Sequence, residues 1–251
     1  MLRMTAALAC LVACLALAAP PMFSSRTELV RWFTYYYQKP EPAKVGDAMA
    51  EASRHGLYRG GTNAPPWFGF LAGALAKSPM TAAATVKRLA TLPEDDQPIV
   101  VFGIWYSGLP QTKPLLQQVA RDMPAQKAIV EQLSATAAPR MTDIPLEQGG
   151  WVLDMLWGNF IATGDEAPIL RIISAVPWSQ ARGNSARMSV GGSARWSLTA
   201  NAALHPRVME ICRRQAKIQP PEVARILEDV IRNAEAEIGL KDRRSPPGKG
   251  S

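Results

Sequence analysis

Apolar residues recur at helical spacing in the segments that follow several prolines. After Pro168, the apolar positions Ile169, Ile172, Ile173 and Val176 fall at i, i+3, i+4 and i+7, which is one face of an α-helix. Proline suits the first turn of a helix, because the N–H that it lacks would have no partner there. The pattern therefore predicts amphipathic helices that begin at prolines.

Other segments are apolar around most of a helical circumference. The stretches GWVLDMLWGNFIA (150–162) and PIVVFGIWYSG (98–108) are of this kind, and such a helix is enclosed by its neighbours. Periodicity alone would also allow IVVF (99–102) to be a buried strand, but its place in the repeat described next favours a helix. The last run (220–240) has one apolar stripe and a charged face, which predicts a terminal capping helix.

Five stretches of the chain can be laid over one another, beginning at residues 33, 70, 104, 159 and 197. Each starts with bulky apolar residues, passes through small or polar ones, reaches a proline and continues as an amphipathic run. The prolines are 39, 35, 54 and 38 residues apart, and the long gap leaves room for one extra helix. A repeat of this length is typical of helix-turn-helix units. We therefore predict an all-α fold, an α-solenoid-like stack of helix-turn-helix repeats that forms a single domain over 19–239.

The first repeat opens with the aromatic segment RWFTYYYQKP. Trp32, Phe33 and Tyr36 share one helical face and are expected to pack inward. Tyr35 and Tyr37 fall off that face, and their hydroxyl groups need water or a partner. These two tyrosines are candidate partner-binding residues, and the alternative is that they simply fill out the first repeat.

The N terminus has the layout of a secretory signal peptide. Arg3 precedes an apolar stretch that runs to Leu17, and small residues lie ahead of Pro20. We predict a signal peptide over 1–18 and an exported, periplasmic or secreted protein. The alternative is a membrane lipoprotein, because LVAC resembles the bacterial lipobox and would make Cys14 the lipidated residue.

The phrases LWGNFIATGD and WYSG, together with the export signal, carry a resemblance that spans most of the mature chain. In these features the chain resembles a family of exported bacterial α-helical proteins with no assigned activity. The resemblance therefore implies a helical fold and export but no reaction. The likeness to tetratricopeptide or Sel1-type proteins is architectural, because the tetratricopeptide consensus is absent.

Composition and charge limit the classes of partner. The chain has 251 residues, is 47% hydrophobic and carries a net charge of +7. Its end (240–251) has four basic residues and one acidic residue, a net charge of +3, and is predicted to be a disordered basic tail. No nucleic-acid partner is expected. Contact with a membrane is expected only through a lipidated Cys14 or through this tail.

Motifs of known chemistry are missing from the sequence. His55 and His205 have no partner at the spacing of a zinc pair, and neither a P-loop, a GxGxxG segment nor a GxSxG elbow occurs. Cys212 lies on an apolar helical stripe and is expected to be a buried small side chain rather than a reactive thiol. We accordingly predict no catalytic, cofactor or metal site, and a non-enzymatic protein is favoured.

Asp154 is the one carboxylate inside an otherwise apolar helix. A buried carboxylate needs a partner, and Arg171 or Arg195 could supply it. The alternative is a functional pocket around Asp154 and Trp157, which would make the protein a small-molecule binder or an enzyme.

The segment 179–196, rich in Gly, Ser and Arg, is predicted to be a long flexible loop. Its arginines, Arg182, Arg187 and Arg195, could hold an anionic partner, or the segment could be a plain insertion. With no catalytic motif present, the leading hypothesis is a cell-envelope scaffold that binds a protein or peptide on the concave face of the stack.

Overall fold

The computed structural model describes residues 22–59 and 63–244. These residues form twelve α-helices, short 3-10 turns and no strand. The helices are α1 (Arg26–Thr34), α2 (Val45–Arg54), α3 (Pro65–Lys77), α4 (Pro79–Leu89), α5 (Pro98–Trp105), α6 (Thr112–Asp122), α7 (Lys127–Ser134), α8 (Gly150–Thr163), α9 (Ala167–Ile173), α10 (Ser185–Leu204), α11 (Pro206–Ala216) and α12 (Pro221–Arg244). The predicted signal peptide, Cys14 and the last seven residues lie outside the described part of the chain.

The all-α prediction is confirmed. The segment IVVF lies in helix α5, as the repeat predicted, and not in a strand. The all-round apolar segment that begins at Gly150 forms α8, and its side chains are mostly buried. α8 ends at Gly164, whose φ of 67° is the left-handed conformation that glycine adopts at a helix end.

The centre of the fold is the contact between α3 and α8. Glycines allow the two backbones to approach: a Cβ atom on Gly69 would lie 1.9 Å from the carbonyl oxygen of Met155, and one on Gly158 would lie 1.8 Å from that of Pro66. Helices α2 and α4–α7 pack around α3 and each other, and α9–α12 pack around α8 and α10.

Prolines join helices into consecutive pairs at three places. Pro79 opens α4 directly after α3, Pro168 lies in the first turn of α9 after α8, and Pro206 opens α11 after α10. These joints agree with the local pattern from which the repeat was predicted. The stacking of the pairs as a solenoid stays a prediction.

The loop predicted over 179–196 is wrong. Most of that segment belongs to α10, a helix of twenty residues, and only 181–184 are non-helical. The physical reason is a close packing contact, because a Cβ atom on Gly191 would lie 2.1 Å from the backbone nitrogen of Ser179. The absence of a side chain at Gly191 lets α10 pack against the preceding 3-10 turn. In the sequence, the glycines of this segment had indicated a flexible loop.

Adjacent glycines in α10 give a direct test of this packing. We expect Gly191→Ala to lower the free energy of unfolding by roughly 1–3 kcal/mol, because the new methyl group meets backbone atoms. Gly192→Ala should raise it by roughly 0.5–1 kcal/mol, because nothing lies within 4 Å and alanine favours the helix. Urea unfolding of both variants measures the two effects, and a change of the same sign in both would contradict a close contact between Gly191 and Ser179.

Helix α12 packs against α10 and α11 and covers the C-terminal end of the fold. Ile226, Leu227, Val230 and Ala234 are buried along its apolar stripe, as predicted for a capping helix. The helix continues to Arg244, into the segment predicted to be a basic tail, and 245–251 lie outside the described residues.

Candidate functional site

Helix α1 lies between two depressions in the surface. One depression, the N-terminal groove, has a volume of about 1000 Å³ and is lined by residues between Met22 and Lys44. The other, the Asp154 cleft, has a volume of about 360 Å³ and is lined by α1, the residues around Leu57, the start of α3, and Asp154 of α8. The helix is short, and side chains on its two faces line different depressions.

The N-terminal groove has an aromatic wall built around Trp32. The indole ring packs against Phe23 and Tyr36, with ring centroids 5.5 Å and 5.0 Å away, and against Phe70 of the core at 5.9 Å. Trp32 donates from Nε1 to Oε2 of Glu41 at 2.9 Å, which sets the orientation of the ring. These contacts hold the wall in one arrangement before any ligand arrives.

The charges of this groove are unevenly compensated. Glu28 accepts hydrogen bonds from Ser24, and Glu41 accepts them from Lys44 and Trp32; these bonds hold the pKa of both carboxyl groups below the usual range. Arg31 and Lys39 form no ion pair with any residue that the structure describes, although the charge of Lys39 also helps to lower the pKa of Glu41. With three cationic and two anionic side chains on its lining, the groove has a net charge of +1.

The two candidate tyrosines face different surroundings. Tyr35 lines the N-terminal groove. The ring of Tyr37 instead packs 5.0 Å from that of Phe160, and its hydroxyl lies 3.4 Å from Nδ1 of His205. The structure therefore keeps Tyr35 as a candidate binding residue and gives Tyr37 a place against the core.

His205 is buried between these aromatic side chains and is 1% exposed. Its ring lies 5.6 Å from those of Tyr35 and Tyr37 and 5.9 Å from that of Phe160. Burial lowers the pKa of this imidazole to about 4, so the ring is neutral at neutral pH. His205 occupies the turn between α10 and α11, as expected, but its side chain caps neither helix.

Asp154 is half-buried in its cleft, and burial raises the pKa of its carboxyl group. The partners predicted for it are wrong. Arg171 donates to the carbonyl oxygen of Ile144 at 3.3 Å, and Arg195 pairs with Asp229 at 3.2 Å. Within the described part of the chain, Asp154 has neither a hydrogen bond nor an ion pair.

Trp157 does not line the Asp154 cleft, although the sequence suggested one pocket for both residues. Its ring is buried and packs 6.1 Å from Phe160 in the core. The cleft takes its aromatic side chains from Phe33 and Trp67, whose rings are 4.1 Å apart. Both were missed as site residues, because an aromatic side chain on an apolar helical face is usually part of the core.

The three arginines proposed to hold an anionic partner do not form one site. Arg187 pairs with Glu147 at 2.8 Å and lies 4.8 Å from the ring centroid of Trp178. Arg195 is paired with Asp229, while Arg182 is exposed and has no ion pair within 22–59 and 63–244. Two of the three guanidinium groups are therefore already paired with carboxylates of the protein itself.

No group of three metal-ligating side chains occurs among the described residues, and no helix there is both long and apolar enough to cross a membrane. Cys212 is fully buried, as predicted, and burial raises the pKa of its thiol to about 12. A thiol with that pKa is a poor nucleophile at neutral pH.

Comparison of this chain with protein families, with curated proteins and with solved structures finds no match. The two depressions beside α1 are therefore the candidate binding sites of this protein. Of their residues, the sequence pointed to Tyr35 and Asp154 and missed Arg26, Arg31 and Lys39. Their positions near the aromatic segment were visible in the sequence, but the absence of an ion pair to each of them in the described part of the chain was not.

Proposed function

We propose that this protein is a helical scaffold whose N-terminal groove binds an acidic, partly apolar peptide segment of a partner protein. The observation that carries the proposal is the pair of cations, Arg31 and Lys39, that stand without an ion pair beside a fixed aromatic wall. Carboxylates complement the cations, and apolar side chains complement Trp32 and Tyr35.

The groove is large enough to hold several side chains of a peptide. Its volume of about 1000 Å³ is at the upper end of the range for ligand pockets, roughly 300–1,000 Å³. Its lining residues Met22, Arg31 and Lys39 are exposed, so the groove is accessible to an extended segment. Aromatic and arginine side chains are the residue types that contribute most to protein–protein binding.

A photoreactive side chain tests this proposal in living cells. We expect p-benzoylphenylalanine in place of Tyr35 to give a covalent adduct with a partner protein on irradiation. In the charge-reversed variant Arg31→Glu/Lys39→Glu the adduct should fall at least about tenfold, because the partner's carboxylates would then be repelled. The adduct is measured by immunoblotting and identified by mass spectrometry.

Two controls make the result specific. The same photoreactive side chain in place of Met80, which is 96% exposed and lies outside the groove, should not give this adduct. Lys87→Glu/Arg121→Glu makes the same charge change at exposed positions elsewhere and should leave the adduct intact. Loss of the adduct in both double variants, or no adduct at position 35, would contradict binding in the groove.

Export and the stacked-repeat architecture are part of the same proposal. The signal-like segment over 1–18 supports export, and the proline joints between helix pairs support repeats. A stack of these repeats would have to curve, because α3 meets α8. A crystal structure in which the helix pairs share no common rotation would refute the stack.

The lipoprotein alternative is decided by palmitate labelling. Soluble export predicts that no label is incorporated, whereas label that is lost in Cys14→Ser would establish the lipid anchor.

A further inference from the structure

The charges of the Asp154 cleft are arranged for a ligand that carries charges of both signs. Asp154 of α8 and Arg26 of α1 line the same cleft of about 360 Å³. Neither side chain has an ion pair within the part of the chain that the structure describes, and they are not paired with each other. The cleft thus presents one exposed cation and one half-buried anion, neither of them in an ion pair.

The position of Asp154 makes its lack of a partner costly. The carboxylate is partly removed from water, and a charged group in such surroundings is unfavourable unless a counter-charge or hydrogen-bond donors satisfy it. Burial accordingly raises the pKa of the group. An ammonium group that enters the cleft would supply both the missing charge and N–H donors.

Apolar side chains make up much of the remaining lining, beside the polar residues Thr34 and Asn63. Phe33 and Trp67 form an aromatic wall, and Leu57 and Pro66 continue it. Val30, on the same face of α1, is 40% exposed at this cleft. An apolar group of a ligand would cover this surface and remove it from water, which favours binding.

We infer that the Asp154 cleft binds a free α-amino acid with an apolar side chain. The ammonium group of the ligand pairs with Asp154, its carboxylate pairs with Arg26, and its side chain packs against Phe33, Leu57 and Trp67. This site is separate from the N-terminal groove and does not depend on the function proposed for it. A volume of about 360 Å³ is in the range of small-molecule sites.

Calorimetric titration with L-leucine, L-methionine and L-phenylalanine tests the inference. We expect saturable binding of at least one of the three. For L-leucine as the ligand, the matched probes are 3-methylbutylamine, which lacks the carboxylate, and 4-methylpentanoate, which lacks the ammonium group. Each should bind about tenfold more weakly or worse, because a hydrogen-bonded charge pair is lost. Where another amino acid binds best, its own amine and acid analogues take their place.

Substitutions assign the binding to the two charges. Asp154→Asn and Arg26→Gln should each weaken binding about tenfold or more, whereas Asp122→Asn and Arg121→Gln, at exposed positions outside the cleft, should leave it unchanged. Arg31→Glu/Lys39→Glu, which disables the N-terminal groove, should also bind the amino acid normally. Failure of the groove proposal would therefore be distinct from failure of this one.

Three results would overturn the inference. They are the absence of saturable binding by all three amino acids, equal affinity for the amine and the amino acid, and unchanged affinity in Asp154→Asn. Misfolding does not confuse the test, because Asp154→Asn removes an unpaired charge from a half-buried position and should unfold at the same temperature as the parent or higher. Thermal unfolding of each variant verifies this before the titration.

Discussion

Replacing Gly158 by alanine should lower the free energy of unfolding by about 3 kcal/mol, at the upper end of the range for overpacked cores. The new Cβ atom would lie 1.8 Å from the carbonyl oxygen of Pro66 and 2.9 Å from the backbone nitrogen of Phe70. Both are backbone atoms of α3, so no side chain can rotate to make room. The two central helices would have to move apart, and the buried residues between them would lose contact.

Urea unfolding followed by circular dichroism measures this effect. Gly69→Ala should be similarly destabilising, because its Cβ atom would lie 1.9 Å from the carbonyl oxygen of Met155 on the opposite helix. Gly150→Ala is the matched control on α8: nothing lies within 4 Å of its added methyl group, and the change should stay within about 0.5 kcal/mol. Equal effects at Gly150 and Gly158 would show that helix contact is not the cause.

Acidification from about pH 6.5 to about pH 4 should destabilise the fold through His205. In the unfolded chain an imidazole takes up a proton near pH 6.5, whereas burial lowers the pKa of folded His205 to about 4. Between these values the unfolded state binds more protons, so the free energy of unfolding falls as the pH falls. The loss approaches about 3 kcal/mol, since each pKa unit corresponds to about 1.4 kcal/mol.

A difference measurement isolates this contribution from the carboxyl groups that also titrate in acid. The free energy of unfolding is measured by urea denaturation from about pH 7 to about pH 4 for the parent and for His205→Gln. The parent should lose up to about 3 kcal/mol more than the variant over this range. Parallel curves for the parent and His205→Gln would refute the assignment.

Helix α1 links the two proposed sites. Arg31 and Tyr35 are directed to the N-terminal groove, and Arg26, Val30 and Phe33 line the Asp154 cleft. Phe33 also packs against Phe70 of the core, with ring centroids 4.9 Å apart. A nine-residue helix thus gains its stability from tertiary packing, because so short a helix is marginal in isolation.

Much of the secondary structure was predictable from local patterns. The apolar periodicity after Pro168, the all-round apolar segment of α8 and the left-handed Gly164 depend on residues near one another in the chain. The same local reasoning failed for 179–196, where glycine and serine suggested a loop. Gly191 permits a close backbone contact with Ser179. The sequence does not show this contact, because it depends on how α10 packs against the 3-10 turn.

The candidate sites were only partly predictable for the same reason. Asp154 was conspicuous as a carboxylate in an apolar helix, but neither arginine expected to pair with it does so: Arg195 pairs with Asp229 on α12, and Arg171 donates to a carbonyl oxygen. Tyr35 and Tyr37 were equivalent by helical position, yet one lines a groove and the other packs against Phe160. Which charges are compensated depends on residues far away in sequence.

By itself, the sequence determined that the chain is helical, where several helices begin, and which stripes are apolar. Hydrophobic periodicity, prolines and glycines control these features through interactions within a few residues. Only the tertiary structure decided that α3 meets α8, that α1 divides two depressions, and that Asp154, Arg31 and Lys39 stand without an ion pair in the described part of the chain. Those outcomes depend on contacts between distant segments, and the charges left uncompensated by such contacts are the ones available to a ligand.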